Sequence, residues 1–137
     1  METDRYRGAG IKLTPQRLAV IEYLEGDTDH PSVLAIYKAL AKRFSSMTIA
    51  TVYNIIKALK KRGLVAEFTD ESGKKRIDPN TRPHHHLVCM GCGRVVDIPS
   101  MFRPRISARE RAGFEIMGSR VEFFGRCPLC KKKKDRR

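Results

Sequence analysis

The chain has 137 residues, room for one ordinary domain or two small ones, and its 41% hydrophobic content excludes wholesale disorder. Twenty-eight Lys and Arg against 15 Asp and Glu give a formal charge of +13, an excess that favours a polyanionic partner such as nucleic acid over a merely soluble basic protein. No apolar run of about 18 residues and no signal peptide is recognised, so no membrane partner and a cytoplasmic location are expected.

Residues 14–65 read as three helices. Thr14-Pro15 is a helix start, with Leu18, Ile21 and Leu24 along one face until Gly26 stops it. Pro31 opens a second helix with Val33, Ile36, Tyr37 and Leu40 inward. Ser46 is a cap for a third, which runs to Gly63 with Ile49, Val52, Ile56 and Leu59 as its apolar stripe. Leu64 to Thr69 and Lys74 to Asp78 then read as strands around the turn Asp70-Glu71-Ser72-Gly73. Three helices and a hairpin make a winged helix-turn-helix over residues 1–78. Residues 79–83, with Pro79 and Pro83, read as a hinge.

A second domain is expected over residues 84–130, giving an α+β chain overall. Its strands are His84 to Cys89, Arg94 to Ile98, Phe114 to Met117 and Arg120 to Phe124, with a short helix from Ile106 to Ala112. Residues 131–137 read as a disordered basic tail, in which Lys131 to Lys134 either add unspecific attraction for a polyanion or are simply solvated.

The third helix carries Ala50, Tyr53, Asn54, Lys57 and Lys61 opposite its apolar stripe. Small Ala50 permits close approach to a groove floor, Tyr53 packs on a thymine methyl, Asn54 reads an adenine edge, and the two lysines suit phosphates. The bland alternative is an ordinary solvated face.

Cys89-x-x-Cys92 and Cys127-x-x-Cys130 supply four thiolates in two knuckles. Two-residue gaps let each pair face one ion, and a closed tetrahedron of sulfurs suits structural Zn2+, with no open position for catalysis. A redox dithiol or two disulfides would not explain why the pairs come twice, each at a strand end. In a strand, His84 and His86 share a face that His85 does not. Asp78, Asp97 and His30 are further candidate ligands. Three imidazoles and two carboxylates suit Fe2+, Mn2+, Zn2+ or Co2+; an ion held by the three histidines alone and a coincidental polar strand face stay open on spacing.

Thr14-Pro15-Gln16-Arg17, Thr51-Val52-Tyr53-Asn54, His84-x-His86-x-x-Cys89-x-x-Cys92-Gly93 and Cys127-x-x-Cys130 together resemble the ferric uptake regulator (Fur) family. The resemblance implies a winged helix joined to a C-terminal α/β dimerisation domain, and a metal-dependent repressor that binds a pseudo-palindromic double-stranded DNA operator as a homodimer. Within the family the chain looks most like the peroxide-responsive (PerR) branch. That likeness implies a regulatory Fe2+ or Mn2+ held by His30, Asp78, His84, His86 and Asp97. It also implies peroxide sensing by oxidation of His30 or His84. Asp rather than Glu at 78 and 97, and Tyr53-Asn54 rather than Tyr-Arg, favour this branch. Ser119 stands where the branch usually has His, and residues 101–113 are short and rich in Arg for a dimerisation segment. Arg126 stands before Cys127 where some relatives carry a His for a third metal site, and no His follows His86, so that site is expected to be absent. The rivals are an iron or manganese uptake regulator of the same family, a non-haem metalloenzyme, which the lack of a pocket-forming domain and of a general acid or base argues against, and a constitutive DNA-binding architectural protein.

Overall fold

The computed structural model describes residues 4–26, 29–99 and 104–135. It divides after Thr81 into two compact units.

The first unit is a winged helix. Helices α1 (Asp4–Gly8), α2 (Pro15–Gly26), α3 (Val33–Leu40) and α4 (Ile49–Lys61) precede a hairpin of β1 (Ala66–Thr69) and β2 (Lys75–Asp78). One apolar cluster joins them: Val20, Ile21 and Leu24 of α2, Ile36 of α3, and Val52, Ile56 and Leu59 of α4 are almost wholly buried. Local chemistry fixes the helix ends. The Ser32 hydroxyl accepts from Ala35 N–H at the start of α3. At α4 the cap is Thr48, two residues beyond Ser46, because Thr48 and Thr51 satisfy each other's backbone amides in a capping box. Ser46 instead accepts from Gln16 Nε2 at 3.1 Å, which ties α2 to the turn before α4. Gly63, at φ 66, closes α4: its N–H bonds to the Lys60 carbonyl while that of Leu64 reaches Leu59.

Two features of this unit depart from the periodicity. Helix α1 has too few residues to show a period, yet its Tyr6 is wholly buried. Ile49, expected in the apolar stripe, is 48% exposed, and Ile55 is buried in the cluster. The first turn of α4 projects past the core, so its period begins at Val52.

The second unit holds a three-stranded sheet of order β4-β3-β5, with β3 (His84–Cys89), β4 (Val95–Pro99) and β5 (Glu122–Gly125). Strands β3 and β4 are antiparallel, pairing His86 with Asp97, whereas β3 and β5 are parallel, pairing His86 with Glu122. The expected helix from Ile106 to Ala112 is no more than a run of turns, and Phe114 to Met117 form no strand. Ile106, Phe114, Ile116 and Met117 are all exposed within the chain, so among the described residues no packing partner stabilises either element. The charge run predicted to be disordered forms helix α5 (Pro128–Asp135) instead, because the second cysteine knuckle anchors its first turn. Residues 136–137 of that tail, and 101–103 of the Arg-rich segment, lie outside the described residues.

The turn of the wing depends on Asp70. Burial alone raises its pKa, but bonds from the Ser72 hydroxyl, Arg76 and the Lys74 amide outweigh that and bring it down to about 2. A carboxylate held below its ordinary value of about 3.9 contributes stability above that pH and loses it as pH falls through its folded pKa. Asp70→Asn is therefore expected to cost about 1–2 kcal/mol at pH 7, and urea titrations should show the gap closing between about pH 4 and pH 2. A gap independent of pH would contradict this account of the wing.

Candidate functional site

Four cysteines meet within the second unit. Cys89 ends β3, Cys92 follows one turn later, and Cys127 and Cys130 flank the start of α5. All four are free thiols, with one sulfur of each within 4.8 Å of the others. Cys92 Sγ and Cys127 Sγ are 3.8 Å apart. Four sulfurs at about 2.3 Å from a tetrahedral zinc lie about 3.8 Å from each other, so this edge matches zinc. The backbone supplies part of the cradle. Amides of Cys127, Cys92 and Gly91 point at Cys89 and hold its thiol down to about 6, while hydrogen bonds with Cys127 and Cys89 push Cys130 up to about 12. The four sites thus resist carrying four negative charges together unless a cation compensates them. Gly91 is required by space, since a Cβ there would stand 2.8 Å from Cys130 Sγ. The cluster fits zinc in a closed, structural role.

A second group lies on the opposite end of β3. His84 Nε2 and His86 Nε2 are 2.9 Å apart, and each is 3.2 Å from Asp97 Oδ1 on β4. Alternation puts His84 and His86 on one face, and the His86–Asp97 register brings the carboxylate beside them. The His84 Nδ1 atom is 2.6 Å from the Arg82 carbonyl. A carbonyl only accepts, so Nδ1 carries the proton and Nε2 presents a lone pair, the usual orientation of a metal-binding imidazole. Ligand atoms about 2.1 Å from one ion at right angles lie about 3.0 Å apart, against about 3.4 Å in a tetrahedron. Edges of 2.9, 3.2 and 3.2 Å lie near these values, a spacing that suits one shared ion, as in a two-histidine, one-carboxylate set. His85 points away and accepts the Val121 amide through Nδ1 at 3.1 Å, which fixes the entry to β5.

The first unit brings His30 and Asp78 together by a chain of local bonds. Asp70 holds Arg76 at 2.9 Å, Arg76 reaches the His30 carbonyl at 3.3 Å, and Ile77 N–H binds the Pro31 carbonyl. His30 is thereby kept at φ 54, in the left-handed region, with its ring edge-on to Phe68. His30 Nε2 lies 3.4 Å from Asp78 Oδ2, both side chains 3% exposed, while Asp78 Oδ1 accepts the Asn80 amide. Pattern reading had no means of deriving this pairing, because a left-handed loop has no periodicity.

On α4, Ala50, Tyr53, Asn54, Lys57 and Lys61 are all exposed, Tyr53 at 52%. The sequence reading missed the surface beside them. Lys12, Thr14, Gln16, Arg17, Thr51 and Asn54 line a polar cleft of about 400 Å³. Thr14 to Arg17 served as a helix start and as part of the family pattern, not as a surface; the signal available was Lys12, Gln16 and Arg17 crowding that start.

A winged helix joined to a small sheet bearing a four-cysteine cluster and a histidine–aspartate triangle defines a metal-dependent regulator. The chain belongs to the Ferric uptake regulator family, whose pattern it matches over residues 8–124. It is 38% identical over 134 residues to the peroxide operon regulator of Bacillus subtilis, covering 96% of this chain and 92% of that protein. It is 36% identical over 127 residues to the peroxide-responsive repressor PerR of Staphylococcus epidermidis, covering 91% of this chain and 85% of that one. Among solved structures it is similar to a zinc-bound manganese uptake regulator, with a TM-score of 0.68 and 28% identity over 88% of this chain and 94% of the other. Its relatives are regulators, and the chain is not an enzyme. Among the described residues, no helix is long and apolar enough to cross a membrane.

Gly91→Ala should lower zinc retention against a chelator and lower the melting temperature, because the added methyl occupies space next to Cys130 Sγ. Gly118→Ala, which meets nothing within 4 Å, is the control. Equal zinc retention by both variants would contradict the cradle.

Proposed function

We propose that this chain is a cytoplasmic, metal-dependent transcriptional repressor that binds a pseudo-palindromic DNA operator as a homodimer and senses peroxide through oxidation of a histidine. Structural Zn2+ occupies Cys89, Cys92, Cys127 and Cys130. A regulatory Fe2+ or Mn2+ takes ligands from both units: His30 and Asp78 from the first, His84, His86 and Asp97 from the second.

The observation that carries this reading is the crowding of His84, His86 and Asp97 at 2.9–3.2 Å. A two-histidine, one-carboxylate face leaves coordination positions open, and His30 with Asp78 supplies a second set of the same chemistry. Asp78 and His84 are six residues apart, so the chain tethers the two sets within about 22 Å even when fully extended. An ion that draws both together favours one domain arrangement, and about 2.7 kcal/mol of differential binding shifts a two-state ratio about a hundredfold. That arrangement sets the spacing of two α4 helices across a dimer, each presenting Ala50, Tyr53 and Asn54 to base edges and Lys57 and Lys61 to phosphates.

Fe2+ in this set supplies the redox chemistry that cleaves peroxide. In the net reaction the O–O bond breaks, one oxygen becomes bonded to an imidazole carbon of His30 or His84, and the other leaves as water. The oxidised imidazole loses its place in the ligand set, and the operator is released. The 38% and 36% identities to peroxide regulators support this over metal sensing alone. The similarity to a manganese uptake regulator favours the second reading, in which occupancy by metal is the only signal.

The test uses DNA selected from a random pool by the Mn2+-loaded chain. Brief peroxide should abolish binding by the Fe2+ form and add one oxygen atom to the mass of a peptide containing His30 or His84, while the Mn2+ form keeps its DNA. If both forms keep the DNA, the peroxide reading fails and metal sensing stands. His30→Ala should lower operator affinity about a hundredfold at fixed Mn2+; an unchanged affinity would contradict the shared site.

A further inference from the structure

The charge excess is not where a DNA-reading domain alone would put it. The winged-helix unit, residues 1–81, has 14 Lys and Arg against 10 Asp and Glu, whereas residues 82–137 have 14 against 5. The small second unit therefore carries most of the net charge. Three of its five acidic groups are engaged elsewhere: Asp97 faces His84 and His86, Glu122 pairs with Arg120 at 3.1 Å, and Glu110 accepts from Ser107.

Much of this excess is concentrated on α5. Lys131, Lys132 and Lys133 are exposed, and among the described residues outside α5 no carboxylate pairs with them. Successive residues on a helix turn by about 100°, so three consecutive lysines fan over about 200° of one helical turn. They stand on a fixed base, because Cys127 and Cys130 bracket the start of the helix and Lys131 N–H bonds to the Cys127 carbonyl at 3.0 Å. At its foot, Arg126 and Arg94 stand beside a groove of about 270 Å³ whose wall is otherwise mostly apolar, with Leu87, Val88, Val96 and Pro128. A run of lysines at a helix C-terminus also complements the helix dipole, but that effect needs only one or two of them.

We propose that the second unit carries its own sequence-independent grip on a nucleic-acid backbone, made by Lys131, Lys132 and Lys133 of α5 with Arg126 at its foot. Point charges fanned on a rigid helix suit phosphates and carry no means of reading bases. An anionic membrane surface is the weaker partner, since Leu129 is the one large apolar side chain α5 exposes among the described residues, and membrane binding needs an apolar face. The inference rests on the DNA-binding reading above only for the identity of the polyanion, and does not depend on the regulatory metal.

The test measures binding of the full chain to two duplexes, the selected operator and an unrelated sequence of the same length, across a range of salt concentrations. Each phosphate that a lysine no longer neutralises lowers the slope of log affinity against log salt by about 0.9. The triple variant K131Q/K132Q/K133Q should reduce that slope by up to about 3 per bound chain on both duplexes, with their affinity ratio unchanged. The triple Lys→Arg variant should keep the wild-type slope. Zinc content and melting temperature of both variants confirm that the knuckle is intact. An unchanged slope overturns the proposal. So does a reduction confined to the operator, or retention on phosphatidylglycerol vesicles with no change of slope. Failure of the metal-gated reading would show separately, as operator binding by the wild-type chain that is indifferent to Mn2+.

Discussion

Three candidate ligand atoms, His84 Nε2, His86 Nε2 and Asp97 Oδ1, stand 2.9–3.2 Å apart, a spacing that requires a shared proton or a cation between them. The surrounding structure keeps the cation option open. The Arg82 carbonyl takes the His84 Nδ1 proton and so aims the Nε2 lone pair at the triangle, and the β3–β4 register delivers the carboxylate. The same constraint recurs in sulfur at the other end of β3. There Cys89 is drawn toward its thiolate form by backbone amides while Cys130 is driven the other way by its neighbours. One six-residue strand thus ends in a soft donor set of sulfurs and begins with a harder set of nitrogen and oxygen.

Within the first unit, the wing fixes the position of His30. Asp70, Arg76 and the His30 carbonyl form a continuous chain of bonds from the hairpin turn to a backbone held in the left-handed region. Such a conformation persists only when its surroundings over-determine it, and here the wing and the Pro31–Ile77 bond do so. The hairpin that follows α4 therefore orients a candidate ligand. The distribution of charge adds a further division: the unit that contains α4 has a modest net charge, while the smaller unit holds most of the excess.

Local signals made much of this legible in the sequence. The Cys-x-x-Cys pairs, the strand His84 to Cys89 and the helix from Ile49 follow from spacing and alternation, because each is decided by residues a few positions apart. The misreadings arose where tertiary contacts decide. Ile106 to Ala112 has the composition of a helix but no surface to pack on. Lys131 to Lys134 has the composition of a solvated tail but inherits a helix from the knuckle before it. Ile49 matches the apolar period yet overhangs the core. His30 and Asp78 come together through a left-handed turn and a bond network that no window of the sequence encodes; residue type and position made them candidate ligands, and only the likeness to a known family joined them in one set.

The central claim is that ligands from both units hold one cation. X-ray absorption of the Mn2+-loaded chain tests it without reference to DNA. The account predicts three imidazoles and two carboxylates around the metal, with one imidazole fewer in His30→Ala and one carboxylate fewer in Asp97→Asn. A spectrum that changes with Asp97→Asn but not with His30→Ala would place the ion in the second unit alone and contradict the account.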